Sequence, residues 1–386
     1  MNKDLLISKI DLIIEYLIYI TIFALPLSIG LFNISLSFTF LLFLIRIMIE
    51  RNFSIKLYNL DKAILIFSFV LILSIFNSYN KVRSMDFIIS PFLKYIVLYL
   101  AVTRFLNQKE KIVKTIKIYW VSTFVSAGYV LYLGYFSNVI RPTGFTHNSN
   151  RLGILMSIFI TINYILILFS KNNKYRTFSL AGLVFGLPTL MLTQSRGALL
   201  ALILSLLILS IIKDKKSIFL FILFTILLLF VLPQNFKLRL SQLANLQSRN
   251  VKQRFLMYKA GYQVLKNNWI LGIGINNIAE TYSRFDFSFL TKTYRHWHNI
   301  LLNVIVEMGT LGFIAFLNLI YVTVKNFMKN FKSKNIISIF SFGVFLNILF
   351  QNMVSLTLDG SEVGLTFVFF ISLQICILNN DFEFNI

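Results

Sequence analysis

At 386 residues, 57% hydrophobic and 13% charged, with a mean hydropathy of +0.76, the chain carries more apolar side chain than a soluble surface tolerates. Its length allows about a dozen membrane-crossing helices with short connections, which excludes a large soluble domain beside them. The formal charge of +22 would suggest nucleic acid in a soluble protein, but here the cations alternate with apolar runs, so the expected partner is the lipid bilayer and no nucleic acid.

Apolar windows fall at 11–30, 34–49, 60–78, 88–106, 115–136, 152–170, 177–194, 197–212, 217–233, 299–324, 335–355 and 363–379. The expected architecture is therefore all-α, one membrane domain over 1–386 with about twelve transmembrane helices. The first window lacks a small-residue cleavage pattern and is followed at once by another, so it reads as a retained helix. The single cysteine, Cys376, lies inside an apolar run, which leaves neither a disulfide framework nor a cysteine metal site.

Every second short loop is basic: Arg51 and Lys56; Lys109, Lys111, Lys114 and Lys117; Lys171, Lys174 and Arg176; Lys213, Lys215 and Lys216; Lys325, Lys329, Lys332 and Lys334. With Lys3 and Lys9, the positive-inside rule puts these loops and both termini in the cytoplasm. The opposite loops are 31–33, 79–87, 137–151, 195–196, 234–298 and 356–362. Only 234–298 is long, and it holds ten basic residues against two acids, a balance of +8. Long loops cross regardless of charge, so the topology stands.

Within that loop Phe255, Tyr258, Tyr262, Leu265 and Trp269 recur at helical spacing, which predicts an amphipathic helix lying along the membrane surface. Lys252, Lys259 and Lys266 run along one flank, where snorkelling to lipid headgroups accounts for them. Arg254 falls on the other flank.

Chemistry-bearing residues gather on the outer side. The three histidines, His147, His296 and His298, all lie in outer loops. His298 and Asn299 stand at the mouth of a helix with Glu307 about two turns further in. Glu307 either lines a cavity or makes a structural hydrogen bond to a neighbouring helix. Arg196, in TQSRG, occupies a turn of almost no length, where the cytoplasmic bias argues against a default cation. Arg141 and Arg151 flank a Gly- and Asn-containing turn, with Asn148, Ser149 or Asn150 available to cap the next helix.

No Asp-x-Asp pair occurs in the sequence, so no divalent-metal site and no cofactor is expected. Guanidinium groups pair naturally with phosphate and pyrophosphate oxygens. The expected ligand is a phosphorylated, membrane-borne molecule, and the expected chemistry is displacement of a pyrophosphate leaving group. Arginines would stabilise the developing charge, and a histidine or carboxylate would take the proton from an attacking hydroxyl.

In order along the chain come TQSRG, then an arginine opening an aromatic amphipathic helix (RFLMYKAGYQVLKNNWILGIG), then HWHN with Glu-x-Gly downstream. From about residue 137 to 325 this resembles the O-antigen ligase and O-antigen polymerase family. The resemblance implies a C-type glycosyltransferase-like membrane fold and metal-independent, inverting transfer of a glycan from undecaprenyl pyrophosphate to an acceptor hydroxyl on the periplasmic face of the inner membrane. It implies Arg196, Arg254 and His298 as catalytic positions, with Arg141 and Glu307 as further carry-overs; Arg151 and Asn299, from their places on the outer side, join these two as expected substrate contacts. The chain departs from the family pattern at Ser149, between Asn148 and Asn150, and at Trp269, where proline is usual. Both are positions of shape rather than chemistry.

A ligase would use a lipid A core sugar as acceptor, and a polymerase would use another lipid-linked repeat unit. The ligase is the expected activity because one long outer loop carries HWHN. A flippase for lipid-linked oligosaccharide would need midplane charges and a repeat between halves, whereas charges within spans are few (Glu15, Lys94, Glu307). A non-catalytic scaffold would tolerate substitution of Arg196 and His298.

Overall fold

The computed structural model describes residues 3–50, 57–244, 249–290, 292–331, 335–358 and 361–380. Arg51, Lys56, Lys332 and Lys334 of the charge pattern lie outside the described residues. The helices are α1 (Lys3–Ala24), α2 (Ile29–Glu50), α3 (Asn59–Leu73), α4 (Lys81–Phe87), α5 (Leu93–Phe105), α6 (Lys109–Tyr135), α7 (Ser149–Phe169), α8 (Asn173–Thr193), α9 (Arg196–Lys213), α10 (Lys215–Val231), α11 (Gln234–Ala244), α12 (Arg249–Asn267), α13 (Ile300–Phe331), α14 (Ile336–Val354) and α15 (Ser361–Asn380). There is no strand among the described residues, and the fold is all-α.

Each apolar window is occupied by helix, but the crossing count differs from expectation. Among the described residues nine helical segments are long and apolar enough to cross a membrane, not twelve. Of the remaining windows, α1 carries Lys3, Asp4, Lys9, Asp11 and Glu15, α10 has 17 residues, and the apolar part of α15 is Glu362–Ile377. The chain is a multi-pass membrane protein. Its outward side chains agree with lipid as the solvent, since Phe76, Phe230 and Ile140 are each at least three-quarters exposed.

Polar residues mark where helices begin. Asn148 Oδ1 accepts from the Asn150 and Arg151 amides at the start of α7, Asp214 caps α10 through Ser217, and Asn335 caps α14 through Ile337. Each satisfies amide groups that the helix itself leaves open.

Two helices form the centre. In α7 and α14, 83% of the membrane-crossing window is buried, against about a third in most of the others. They are joined by a polar ladder: Ser157 Oγ donates to Asn347 Oδ1 at 2.7 Å, and Asn347 Nδ2 donates to Thr161 Oγ1 at 3.2 Å. Within an apolar interior such bonds fix register between helices that packing alone would let slide. The same central pair contacts α9, and α14 also contacts α13 and α15, so the ends of α9, α13 and α14 converge.

One helix is broken. Gly309 in α13 has φ 67° and ψ −168°, far from helical values, and any Cβ there would collide with the Ile270 carbonyl. The segment after α12 fills the break: Ile273 and Gly274 amides donate to the Val306 and Glu307 carbonyls at 3.0 and 2.9 Å, and the Thr310 amide donates to the Trp269 carbonyl at 2.8 Å. Irregular backbone at membrane depth survives only when its polar groups are satisfied inside the protein, as here. In the sequence Gly309 sits in an otherwise helical pattern; the structure makes it the point of interruption.

Candidate functional site

The TQSRG turn is wedged between the two central helices. Gln194 adopts a left-handed conformation at the end of α8 (φ 50°), so the chain reverses within two residues and Arg196 opens α9 half-buried. Gly153 of α7 lies against the turn, where a Cβ would come within 2.7 Å of Ser195 Cβ. On the other side a Cβ at Gly197 would come within 2.8 Å of Gln351 Oε1, on α14. Gln351 is 1% exposed, and its Oε1 has no hydrogen-bond partner among the described residues.

Arg141 ties the preceding outer loop to that turn. Its Nε donates to the Thr193 carbonyl at 3.1 Å and its Nη2 to Asn150 Oδ1 at 2.8 Å, while its own carbonyl accepts from Ser149 Oγ. Arg151 points elsewhere. Its Nη1 is 3.5 Å from Glu362 Oε1, and Glu362 is 1% exposed, so this arginine balances a buried carboxylate at the start of α15.

The HWHN segment is anchored by Trp297, which is fully buried. Its amide donates to Asn303 Oδ1 at 2.8 Å, and its ring packs with Tyr282 and Phe287. On either side of that anchor His296 and His298 stack edge to face, with ring centroids 4.6 Å apart. His298 has a left-handed backbone (φ 54°). Burial pushes the His298 imidazole down to about 4, and the neighbouring His296, Arg254 and Lys292 act in the same direction. At neutral pH it is an uncharged base among positive groups. Arg254, on α12, is thus near enough to act on the charge of His298.

α12 presents its faces in the opposite sense to a simple core-facing aromatic stripe. Met257, Ala260 and Val264 are buried, and Gly261 meets Leu302 of α13, whereas Phe255, Tyr262 and Trp269 are more than half exposed. The aromatic stripe is the outer surface, and Lys252, Lys259 and Lys266 are exposed beside it.

Asn299 caps α13 by accepting from the Leu302 amide, and its Nδ2 donates to the Met353 carbonyl at 3.3 Å. The end of α14 therefore touches both motif regions, through Gln351 at Arg196 and through Met353 at Asn299. Glu307 is 7% exposed, at the last turn before the break, with the Asn276 and Asn277 amides directed at its carboxyl group.

Two hollows meet at this point. An apolar cavity of about 280 Å3 between α3, α5, α13, α14 and α15 reaches Ile275, Asn303, Glu307 and Asn352. Across the Ile275–Asn276 peptide lies a polar depression of about 240 Å3, lined by Arg83, Asp86, Asn276, Ala279 and Arg295.

Residues 181–317 match the family model described as O-antigen ligase. That stretch belongs to the O-antigen ligase family. The family domain contains Arg196, Arg254, His298, Asn299 and Glu307, and it leaves Arg141 and Arg151 outside. No curated protein matches the chain.

Sequence reasoning missed Gln351, Asn352, Asn303 and Arg83. A Gln-Asn pair closing an apolar helix was the available signal for the first two, because buried amides demand partners.

Proposed function

We propose that the chain transfers a glycan from undecaprenyl pyrophosphate to an acceptor hydroxyl on the outer face of the inner membrane. The observation that carries this reading is His298, kept uncharged at neutral pH beside the fixed cation Arg254 inside the family domain. The imidazole takes the proton from the acceptor hydroxyl. The acceptor oxygen then bonds to the anomeric carbon as the bond to the pyrophosphate oxygen breaks, and undecaprenyl pyrophosphate leaves with the electron pair. Attack from the face opposite the leaving group inverts the anomeric centre. Arg196 and Arg254 receive the charge developing on the pyrophosphate, as guanidinium groups do through paired hydrogen bonds.

Arg141 holds the Arg196 turn in place, Asn299 fixes the start of α13, and Glu307 organises the segment between the hollows. Arg151 serves the scaffold. The adjoining apolar cavity and polar depression suit a substrate with a lipid end and a sugar end. The acceptor in this reading is a lipid A core sugar, which makes the chain a ligase; a second lipid-linked repeat unit would make it a polymerase.

The test is purified protein mixed with lipid-linked donor and lipid A core in excess chelator, with Arg196→Ala and His298→Ala alongside. Glycan joined to core, lost in both variants, is the expected result. A ladder from donor alone assigns the polymerase. No product from either mixture, with donor still crossing proteoliposomes, would replace the enzyme by a flippase.

A further inference from the structure

The polar depression is not part of the motif cluster, yet it is built rigidly. Asn80 caps α4 by accepting from the Arg83 amide, and its own amide donates to Asn277 Oδ1 at 2.7 Å. Ser84 Oγ donates to the Ile275 carbonyl at 2.8 Å, and Asn277 Nδ2 donates to Ser84 Oγ at 2.8 Å. These bonds bolt the short helix carrying Arg83 and Asp86 onto the strip carrying Asn276 and Ala279. Arg295 closes the rim, one residue before the His296-Trp297-His298 anchor.

Its chemistry is balanced rather than cationic. Arg83 Nε lies 3.0 Å from Glu280 Oε1, which neutralises one guanidinium, and Asp86 adds a carboxylate to the lining that holds Arg295. A phosphate or carboxylate gains little there, because Arg83 is already paired with Glu280 and the carboxylate of Asp86 shares the lining. Donors from two arginines alternate instead with the carboxylate acceptor of Asp86 and the amide of Asn276, which offers both. A sugar hydroxyl is donor and acceptor at once, so this alternation fits vicinal hydroxyls.

We infer that the depression lined by Arg83, Asp86, Asn276, Ala279 and Arg295 is a glycan subsite that binds a neutral sugar of the acceptor, an assignment that rests on the glycan-transfer reading above. Asp86 accepts from two adjacent hydroxyls, and Arg295 and Asn276 donate to ring or hydroxyl oxygens.

The experiment uses full-length protein in detergent and two probes, the core oligosaccharide freed from lipid A and the repeat-unit oligosaccharide freed from its pyrophosphate. Each is titrated by calorimetry into the wild type, Asp86→Asn, Ala279→Phe and Arg254→Ala. Asp86→Asn keeps size and removes the charged acceptor, and Ala279→Phe fills the depression without altering charge. The expected result is saturable binding of one probe, weakened at least tenfold by Asp86→Asn and Ala279→Phe and unchanged by Arg254→Ala. Absence of saturable binding to the wild type, or equal affinity in the wild type and both depression variants, would overturn the assignment. Asp86 is exposed, so Asp86→Asn carries the test alone if Ala279→Phe does not fold. Binding through these residues by a protein that transfers nothing would remove the transferase reading and leave the subsite. Active transfer with unaltered affinity in both variants would do the reverse.

Discussion

Gly309 and Ile270 approach so closely that no side chain fits between them: the glycine has φ 67°, and its Cβ position is taken by the Ile270 carbonyl. Gly309→Ala must both strain the backbone and displace a chain segment that is hydrogen-bonded on each side. A loss of about 3 kcal/mol or more is expected from strain and collision together. Thermal unfolding in detergent would register it as a drop of several degrees. Gly128→Ala, where nothing lies within 4 Å of the new methyl group, should leave the transition in place.

The pH dependence of transfer should report His298. In the proposed reaction its free base is the working form, so kcat/KM should fall as pH drops through its pKa of about 4. His296 is the neighbour that contributes most to keeping that value down. Removing it with His296→Gln makes protonation of His298 easier, raises the pKa and moves the acid limb of the profile to higher pH. Activity at about pH 5 relative to that at neutrality should therefore be lower in the variant. A limb that stays in place, or moves to lower pH, contradicts the assignment of His298 as base.

Arg151 and Glu362 give a way to separate scaffold from site. Truncating Arg151 leaves Glu362 buried without its charge partner, which costs about 3 kcal/mol in comparable buried pairs. The double variant Arg151→Met, Glu362→Gln removes both charges and should recover most of the lost unfolding temperature and most of the transfer rate. Full stability with no transfer would instead place Arg151 on the substrate.

Gly197 and Gln351 test the convergence of α9 and α14. A methyl group at Gly197 meets the far end of the Gln351 side chain, which can swing aside, so Gly197→Ala should fold with little change in unfolding temperature. The amide would no longer sit beside the Arg196 turn, and transfer should fall roughly tenfold, a loss of about 1.4 kcal/mol in transition-state stabilisation. Unchanged kinetics would make Gln351 a packing residue only.

Much of this was legible in the sequence because the relevant signals are local. Hydropathy found the helices, TQSRG found a turn of two residues, and the run Asn148-Ser149-Asn150 announced the start of α7. What stayed hidden depends on contacts across the chain. The partner of Arg151 is Glu362, more than two hundred positions away, so an arginine that reads as an anion site turned out to be balanced already. The break in α13 was masked because Gly309 sits in an otherwise helical pattern, and only the strip around Ile270 gives its backbone a reason to leave it. The aromatic stripe of α12 was visible, but the face that packs inward, made of Met257, Ala260 and Val264, was not, because nothing in the local pattern singles these residues out.

The pairing of Ile273 and Gly274 with Val306 and Glu307, together with that of Trp297 with Asn303, closes the chain between them like a strap buckled at both ends. His298 and Asn276 are held by the buckles, not by the length of the strap. The exposed side chains of the strap, such as Asp286 and Ser288, take no part in either buckle and can be substituted without moving His298 or Asn276, whereas Phe287, packed against Trp297, belongs to the anchor. Such changes would alter only the rim that an incoming sugar meets. On the proposed function, a chain built this way can change which glycans it accepts while its reactive centre stays where it is.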